Sequence, residues 1–389
     1  MTSKLEELIA KLCPNGVEYK KIGDIADYEQ PTKYIVKSTK YDHSFTTPVL
    51  TAGQSFILGY TDELDDIYLA SKDNPVIIFD DFTGAIQWVD FPFKVKSSAM
   101  KMITTKSNVL IRYLYHWMSL LGFSSSEHKR LWISTYSNFE IPVPPLDVQA
   151  EIVRILDTFT ELTAELTAEL TARKKQYEYY RDTLLTFDDN NPLHSLISRY
   201  CPNGVEYKKI KDVYLRIKGT PITASKMKKI ASEDGEVRIF AGGKTVINAH
   251  ESDIPKANIT RVPAVLVQSR GVIDVVYYDK PFTFKNEMWA YTSDSSIGVK
   301  FLYYLLKNNI QYFRDAASGM GSLPQISLHV TEDFEIPVPP LEVQNQIVQI
   351  LDRFDALCND LTQGLPAEIE ARRKQYEYYR DQLLTFKRA

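Results

Sequence analysis

The sequence predicts an α+β protein in which two β-rich domains are separated by an antiparallel pair of long coiled-coil-like helices, arranged as a pseudo-twofold internal repeat. The first observation is that three blocks of the chain occur twice, letter for letter. These blocks and their second copies are Cys13–Ile22 with Cys201–Ile210, Phe139–Leu146 with Phe334–Leu341, and Lys175–Asp182 with Lys374–Asp381. The second observation is that the segments between the blocks hardly match. A period of about 190 residues is too long for a solenoid or a propeller blade, so one plan is present twice with different inserts.

Each copy is expected to be a β-rich domain that also contains a helix. A short amphipathic helix opens each copy, and the Cys-Pro-Asn-Gly sequence after it predicts a turn. Short β-branched or aromatic runs bounded by Gly, Asp and Pro follow, and such runs are typical of strands. They lie at 75–79, 86–89, 262–267 and 272–278. The helical stretches lie at 110–121 and 298–313.

Long helices are predicted after each domain. The Phe-Glu-Ile-Pro-Val-Pro-Pro-Leu block cannot be helical, because its prolines force extended backbone on the residues before them. Beyond it, apolar residues recur in steps of mostly three and four from Val148 to Leu184 and from Val343 to Leu383, which indicates a coiled-coil seam. Gly364 predicts a kink or short break in the second helix. The predicted domains are 1–146 and 188–341, with central helices at 147–187 and 342–389.

Composition places the chain among ordinary globular proteins. Its 389 residues are 44% hydrophobic and 25% charged, and this length suggests two or more domains. No apolar run reaches the roughly 18–20 residues of a membrane span. Met1–Leu12 carries Lys4, Glu6 and Glu7 where a signal peptide has an apolar core. We therefore expect a cytoplasmic protein with no membrane partner.

The charge of the chain is uneven. The net charge is −4, yet residues 211–333 contain 16 Lys and Arg against 13 Asp and Glu, a net charge of +3. Residues 23–138 contain 11 against 13, a net charge of −2. Neither segment is a polycation, so any binding to nucleic acid must depend on local patches or on a partner.

Motifs for catalysis are incomplete or absent. Ala241–Thr245 ends like a phosphate-binding loop, but the pattern requires glycine at position 238, where Arg238 stands. Asp80–Asp81 could hold Mg²⁺, although a solvated turn is the better interpretation of this pair. His128 and His329 lie in loops without a serine or cysteine partner and are expected on the surface. The three cysteines show no metal-binding spacing, so we predict that the chain catalyses nothing and binds no metal.

The repeated motifs resemble the specificity (S) subunit of type I restriction–modification enzymes. Each variable domain is closed by Ile-Pro-Val-Pro-Pro-Leu-x-Val-Gln and followed by a long helix that ends in Lys-Gln-Tyr-Glu-Tyr-Tyr-Arg-Asp-x-Leu-Leu. Tandem Thr-Ala-Glu-Leu units at 163–166 and 167–170 fit the same family. The resemblance covers almost the whole chain.

The resemblance implies a role in DNA recognition. In that family each variable domain is a target-recognition domain that reads one half of a split site in double-stranded DNA. The central helices set the distance between the half-sites and dock two methyltransferase subunits, and restriction subunits join the full complex. S-adenosylmethionine belongs to the methyltransferase subunits, so no cofactor is expected in this chain.

Candidate DNA-contacting residues lie in loops that combine glycine, short polar side chains and cations, a composition suited to phosphate and base-edge contacts. The same loops could equally be ordinary turns at a sheet edge. The candidates are Gln54, Ser55, Thr83, His128, Lys129, Arg130, Lys244, Ser269, Arg270, Ser318, Ser322 and Gln325.

Candidate partner-docking residues lie in the repeated Lys-Gln-Tyr-Glu-Tyr-Tyr-Arg-Asp block. Packing of the helix seam would not by itself keep the polar residues of this block the same in both copies. A surface that binds two copies of one partner would keep them the same. Recent duplication is the competing explanation. The candidates are Gln176, Tyr179, Arg181, Gln375, Tyr378 and Arg380.

One alternative function remains open at the level of the sequence. A non-catalytic, pseudo-symmetric scaffold could bind two protein or glycan ligands instead of DNA, and the negative net charge slightly favours it. The two alternatives differ in salt dependence, because binding through phosphate contacts weakens steeply as salt is added.

Overall fold

The structure, a computed structural model, describes residues 4–51, 55–121, 129–243, 245–254, 258–318 and 323–389. The chain forms two compact units. One unit comprises Met1–Thr167 and Glu368–Ala389, and the other comprises Ala168–Ala367. The first unit therefore combines the first β-rich domain with the last segment of the chain.

The elements of the first copy follow the predicted order of helix, strands, helix, extended exit and long helix. They are α1 (Lys4–Leu12), β1 (Tyr19–Lys21), α2 (Ile22–Ile25), β2 (Ala26–Glu29), β3 (Thr47–Leu50), β4 (Ile57–Thr61), β5 (Val76–Asp80), β6 (Ile86–Val89), β7 (Lys94–Val95), β8 (Met100–Thr105), α3 (Ile111–Leu121), α4 (Leu131–Ser134), β9 (Glu140–Pro142) and α5 (Leu146–Leu184).

Among the described residues, the second copy repeats this order with two additional helices, one before its central strands and one directly after the helix that follows them, and with a division of the long helix. Its elements are α6 (His194–Tyr200), β10 (Tyr207–Lys209), α7 (Ile210–Val213), β11 (Leu215–Lys218), α8 (Ala224–Ile230), β12 (Val237–Phe240), β13 (Val246–Ala249), β14 (Ala264–Gln268), β15 (Asp274–Tyr278), β16 (Phe282–Phe284), β17 (Trp289–Thr292), α9 (Ser296–Asn308), α10 (Ile310–Asp315), α11 (Leu328–Glu332), β18 (Glu335–Pro337), α12 (Leu341–Asn359) and α13 (Leu365–Leu383).

Both domains have the same sheet topology. The first contains an antiparallel sheet in the order β2-β8-β5-β6 and a mixed sheet in the order β4-β3-β7. The second contains the corresponding sheets β11-β17-β14-β15 and β13-β12-β16. In the mixed sheets, β3 pairs with β7 and β12 pairs with β16 in parallel. The predicted α+β class and the internal repeat are confirmed, although the segments between the repeated blocks hardly match in sequence.

Strand β5 is central to the first domain because it is buried on both faces. All five of its residues are buried. Ile77 and Phe79 belong to the cluster that includes residues of α3 and α5, whereas Val76 and Ile78 belong to a second cluster that includes residues of β3 and β7. This division follows the alternation of side chains along a strand. Strand β14 is divided between two clusters in the same way.

The repeated blocks pair with each other at the base of each domain. Strand β1, from the first block, runs antiparallel to β9, from the second, with Tyr19 opposite Pro142 and Lys21 opposite Glu140. Strands β10 and β18 pair with the same register. We call each of these two-stranded ribbons a neck. The necks explain why these two blocks are the same in both copies, because within each copy the first block pairs with the second.

A glutamine at the start of each long helix closes its neck. The Gln149 Nε2 atom donates a hydrogen bond to the Pro144 carbonyl at 2.7 Å, and Gln344 Nε2 donates to the Pro339 carbonyl at the same distance. Both glutamines are buried. A proline-rich segment lacks amide donors of its own, so a side-chain amide satisfies the carbonyl that no local N–H can reach.

Helices pair in antiparallel fashion inside each unit. In the second unit, the rings of Tyr177 and Tyr180 stack on Phe354, at centroid distances of 6.2 and 5.3 Å. In the first unit, Phe159 of α5 stacks on Tyr379 of α13 at 5.2 Å. The segment after α13 reaches the neck before α5, where the Tyr19 hydroxyl donates to the Phe386 carbonyl. The start of α5 and the end of α13 therefore lie together, as the predicted antiparallel pairing requires.

A carboxylate on each long helix fastens the helix of the adjoining domain. Asp157 of α5 accepts from Arg112 Nε at 2.7 Å and pairs with His116 Nε2 at 2.9 Å, both on α3. His116 is fully buried, and this burial lowers its pKa while Asp157 opposes the shift. In the second unit, Asp352 accepts from the Tyr304 hydroxyl and forms an ion pair with Lys300. The same position therefore clamps α3 and α9 with different partners.

The predicted break in the second helix is confirmed. Helix α12 ends at Asn359 and α13 begins at Leu365. Between them, the Asp360 carboxylate accepts from the Thr362 amide at 2.7 Å. A Cβ atom on Gly364 would stand 2.5 Å from the Ala356 carbonyl oxygen, so only glycine fits there. The first helix is continuous for 39 residues, two fewer than the 41 predicted.

Candidate nucleic-acid interface

The hairpin after β5 is shaped by its two aspartates. The Asp80 carboxylate accepts from the Phe82 amide at 2.9 Å and from the Thr83 amide at 3.3 Å. Gly84, with φ of 76°, completes the turn, and glycine adopts this conformation without strain. The predicted contact residue Thr83 is exposed at the tip.

Asp81 is not part of a solvated turn, and the prediction that it is was wrong. Its side chain is 1% exposed and lies 3.4 Å from the ammonium of Lys101, which is also 1% exposed. The other carboxylate oxygen accepts from the Trp132 amide at 2.9 Å. The Lys101 ammonium also lies 5.0 Å from the centre of the Tyr28 ring. A buried carboxylate requires such a cation, and the cation comes from β8, the neighbouring strand.

A segment that we call the first crossing segment, residues 129–132, passes over the end of β5. The Leu131 amide donates to the Asp81 carbonyl at 2.7 Å, and the Leu131 side chain is buried. This anchor places Arg130 beside the hairpin with its guanidinium 3.7 Å from Asp81 and its side chain 54% exposed. Lys129 is also exposed.

The second crossing segment, residues 324–327, passes over the end of β14 in the same way. The Ile326 amide donates to the Ser269 carbonyl at 3.0 Å. Gln325 is exposed at this point, and its carbonyl accepts from the Ser318 amide at 3.0 Å. The Gly271 amide donates to the Pro324 carbonyl at 2.9 Å. The structure thus brings the predicted residues Arg270, Ser318 and Gln325 together on one edge of the domain.

Ser269 has a role inside the domain. It is 1% exposed, and its hydroxyl donates to the Glu287 carbonyl. It therefore stabilises the end of β14 and is not available to a ligand in this arrangement. The glycine loop at Gly242–Gly243 meets the same edge, where the Gly243 amide donates to the Arg270 carbonyl at 3.3 Å. A largely apolar cavity of about 660 Å³ opens between these loops.

The remaining candidates fall into two groups. Ser55 is exposed in the turn before β4. Gln54, His128, Lys244 and Ser322 lie outside the described residues. His329 is on the surface, as predicted, with its side chain 82% exposed.

Sequence reasoning missed Lys101, although a signal was present. Lys101 lies in the run Met100-Lys-Met-Ile103, in which the three remaining residues are all apolar. A lysine in such a strand is either an edge residue or the partner of a buried acid. The pairing of β8 with both β2 and β5 makes it an inner strand, which leaves the second explanation.

The docking candidates divide into inward and outward side chains. Arg181 donates to the Asn308 side chain at 2.7 Å, and Arg380 donates to the Ser119 carbonyl at 3.4 Å. Each arginine therefore ties its helix to the adjoining domain. Gln176 and Gln375 accept hydrogen bonds from arginines of their own helices. Tyr179 and Tyr378 point outward and are 62% and 58% exposed.

The described residues show no metal site and no membrane helix. Across these ranges, no group of three or more His, Cys, Asp or Glu is arranged to hold a metal ion. None of the described helices combines the length and apolar character that a bilayer crossing requires.

Comparisons with known proteins agree on one class. A family model described as type I restriction modification DNA specificity domain matches residues 14–173 and 202–371. A type I restriction enzyme specificity subunit of Escherichia coli is 43% identical over 397 residues, which cover 95% of this chain and 94% of that protein. A putative specificity subunit of this type from Haemophilus influenzae is 29% identical over 95% of this chain and 96% of its own length.

One solved structure has a similar fold over nearly its whole length. It is the S subunit of a type I restriction-modification system from M. genitalium, which matches with a TM-score of 0.68. The alignment covers 95% of this chain and 97% of that chain at 15% sequence identity. At this identity the likeness concerns the fold.

Proposed function

This chain belongs to the type I restriction-modification DNA specificity family, and from that premise we propose that it is the sequence-reading, non-catalytic subunit of a methyltransferase and endonuclease complex. Each β-rich domain reads one half of a bipartite site in double-stranded DNA. Two methyltransferase subunits, which supply S-adenosylmethionine, bind the chain, and restriction subunits join them in the full complex. We expect this complex in the cytoplasm, because the DNA that it acts on lies there.

The observation that carries the proposal is one backbone frame with two different sets of exposed side chains. In both domains the end of the central strand is crossed by a segment anchored through the same main-chain hydrogen bond, from Leu131 in one and Ile326 in the other. The exposed residues beside the two anchors are Arg130 and Gln325. Half-sites of different sequence require such a difference on a common scaffold, because base edges are read by side chains.

The long helices support the role of a spacer. Helix α5 is continuous for 39 residues, or about 58 Å at 1.5 Å per residue. Half-sites that face one side of a duplex are about 34–36 Å apart, or a multiple of that distance. A continuous helix between the domains can hold such a separation, and its length then fixes the number of unread base pairs.

Tyr179 and Tyr378 are the residues of the repeated block best suited to docking the methyltransferase subunits. They occupy the same position of the repeat and expose most of their rings. Arg181 and Arg380 contribute indirectly, because they hold the helix against its own domain. Tyrosines are common at the centres of protein interfaces, and two equivalent tyrosines offer one surface to each of two identical partners.

The test is a binding experiment with the purified complex of this chain and its methyltransferase. Duplexes carrying the methylated motif of the host should bind with an affinity that falls steeply as salt is raised from about 50 to 200 mM. Duplexes with either half-site scrambled should bind less tightly. Binding that is insensitive to salt and to both scrambled half-sites would contradict the proposal and favour the protein-or-glycan scaffold.

A further inference from the structure

The two crossing segments place one exposed side chain each at equivalent positions of the two domains. Leu131 and Ile326 are 195 residues apart, the same offset as Phe139 and Phe334 of the repeated block. Their amides donate to the carbonyls of Asp81 and Ser269, which are 188 apart, the offset of the first block. The residues immediately before the anchors are Arg130 and Gln325, so these two occupy one position of the repeat.

The surroundings of the two side chains differ in a way that suits their chemistry. Beside Arg130 stands the buried carboxylate of Asp81, one oxygen of which makes no hydrogen bond and lies 3.4 Å from the Lys101 ammonium and 3.7 Å from the Arg130 guanidinium. At the position of Asp81 the second domain has Ser269, whose hydroxyl is turned inward to the Glu287 carbonyl. The cationic side chain thus has an oriented counter-charge, whereas the residue at the equivalent position of the second domain, Ser269, is neutral.

The position of Lys101 changes together with this pair. Lys101 lies opposite Phe79 in the β5–β8 ladder, and Trp289 lies opposite Val267 in the β14–β17 ladder. Phe79 and Val267 are again 188 apart. The first domain therefore has Asp81 and Lys101 beside Arg130, and the second has Ser269 and Trp289 at the corresponding positions. The buried charged pair is thus present in the domain that carries the arginine, and neutral residues replace both of its members in the other domain.

Arginine and glutamine are the side chains that recognise purines through two hydrogen bonds. Arginine donates to O6 and N7 of guanine, and glutamine pairs with N6 and N7 of adenine. A guanidinium that serves only as a phosphate contact gains nothing from a buried carboxylate, which offsets its charge. A guanidinium that makes a bidentate contact to a base must keep one orientation, and the neighbouring carboxylate can hold it in that orientation.

We propose that Arg130 reads a guanine in the half-site of the first domain and that Gln325 reads an adenine in the half-site of the second. This inference rests on the proposed function, and it adds the position of the repeat that determines one base in each half-site. The Leu131 and Ile326 amides, and the Asp81 carboxylate beside Arg130, are positioning groups for the two side chains.

The experiment exchanges the two side chains in the full chain, within its methyltransferase complex. Arg130→Gln is expected to change the preferred base from guanine to adenine at one position of one half-site. Gln325→Arg is expected to make the opposite change in the other half-site. Loss of one bidentate pair should reduce affinity for the original duplex about 5- to 150-fold. Arg199→Gln, on the exposed surface of α6, is the matched charge control and should change neither half-site.

The readout is methylation mapping in host DNA, followed by competition binding with duplexes in which each base of the mapped motif is replaced in turn. A change confined to one position of one half-site supports the inference. An unchanged motif overturns it, and so does a uniform loss of affinity on all duplexes, which is the signature of a phosphate contact.

Measurements on the wild-type complex distinguish a failure of the proposed function from a failure of this inference. If it shows no preference for any bipartite sequence, the proposed function fails and the inference falls with it. If it reads a bipartite motif that both exchanged variants also read unchanged, only the inference fails. Both side chains are exposed, so the variants are expected to fold, and the Ala substitutions Arg130→Ala and Gln325→Ala provide a second, smaller change at each position.

Discussion

Removal of one Thr-Ala-Glu-Leu unit, residues 163–166, is expected to shorten the preferred spacer of the DNA site and to leave both half-sites unchanged. The unit lies inside the continuous helix α5, and residues 167–170 repeat its sequence. In both units the leucine is half-buried, and the alanine and glutamate are exposed. The deletion therefore replaces each side chain of the helix surface with a like side chain, and it changes only the length of the helix and the rotation between its two ends.

The magnitude follows from helix geometry. Four residues contribute about 6 Å of rise and about 40° of rotation beyond one full turn. Base pairs are stacked about 3.4 Å apart and differ by about 35° in rotation. The lost rise corresponds to about two base pairs and the lost rotation to about one, so the optimum should be one or two base pairs shorter. An inserted third unit should lengthen it by the same amount.

The assay is competition binding by the methyltransferase complex on duplexes whose spacers range from three base pairs shorter to three longer than the wild-type optimum. Methylated motifs in a host carrying each variant give an independent reading. The insertion variant is the matched control, because it perturbs the same helix in the opposite direction. If deletion and insertion both leave the optimum where it was, the helix does not measure the spacer and the reasoning is refuted.

Three further outcomes are expected. Tyr179→Ala combined with Tyr378→Ala should weaken capture of the methyltransferase subunits about 30-fold in a pull-down titration, and undiminished capture would place the docking surface elsewhere. Asp157→Ala should lower the free energy of unfolding by about 1.5–3 kcal/mol in chemical denaturation, because the partners on α3 lose their acceptor, whereas Asp147→Ala on the exposed first turn of α5 should change it little. The hydrogen bonds that Glu151 accepts from an arginine and a lysine lower its pKa from 4.5 to about 2. Its contribution to the free energy of unfolding is therefore present above about pH 4.5 and is lost as the pH falls towards 2. A Glu151→Gln variant should remove that part of the pH dependence of stability, and an identical acid unfolding profile for the two proteins would show that this group does not contribute.

The fold could be predicted from the sequence where the signal is local. Strand β6 has the bounds that its β-branched and aromatic run indicates, and α3 begins one residue after the predicted start. The break before Leu365 follows from a glycine whose place leaves no room for a Cβ atom. In each case residues near in sequence determine the backbone, so a pattern in a short window is sufficient.

The interface could be predicted only in part because its organisation depends on distant residues. The sequence predicts the two strands and the loop with Thr83 between them, but the burial of Asp81 depends on Lys101, which belongs to another strand, and on an amide in the first crossing segment. Likewise, the polar letters of the repeated helix block suggested a docking surface. Arg181 and Arg380 also bond to their own domains, and no local pattern in the sequence indicates these contacts.

The necks have a consequence for how such proteins change. Each variable segment enters along β1 or β10 and leaves along the antiparallel partner, so its two ends lie about 5 Å apart. Any variable segment whose two ends lie this close together can be accommodated without a change in the long helices that follow the necks. Because the flanking blocks are identical, recombination between them can move one variable domain into the position of the other. The host then gains new target sequences, while the subunits that act on the DNA stay unchanged.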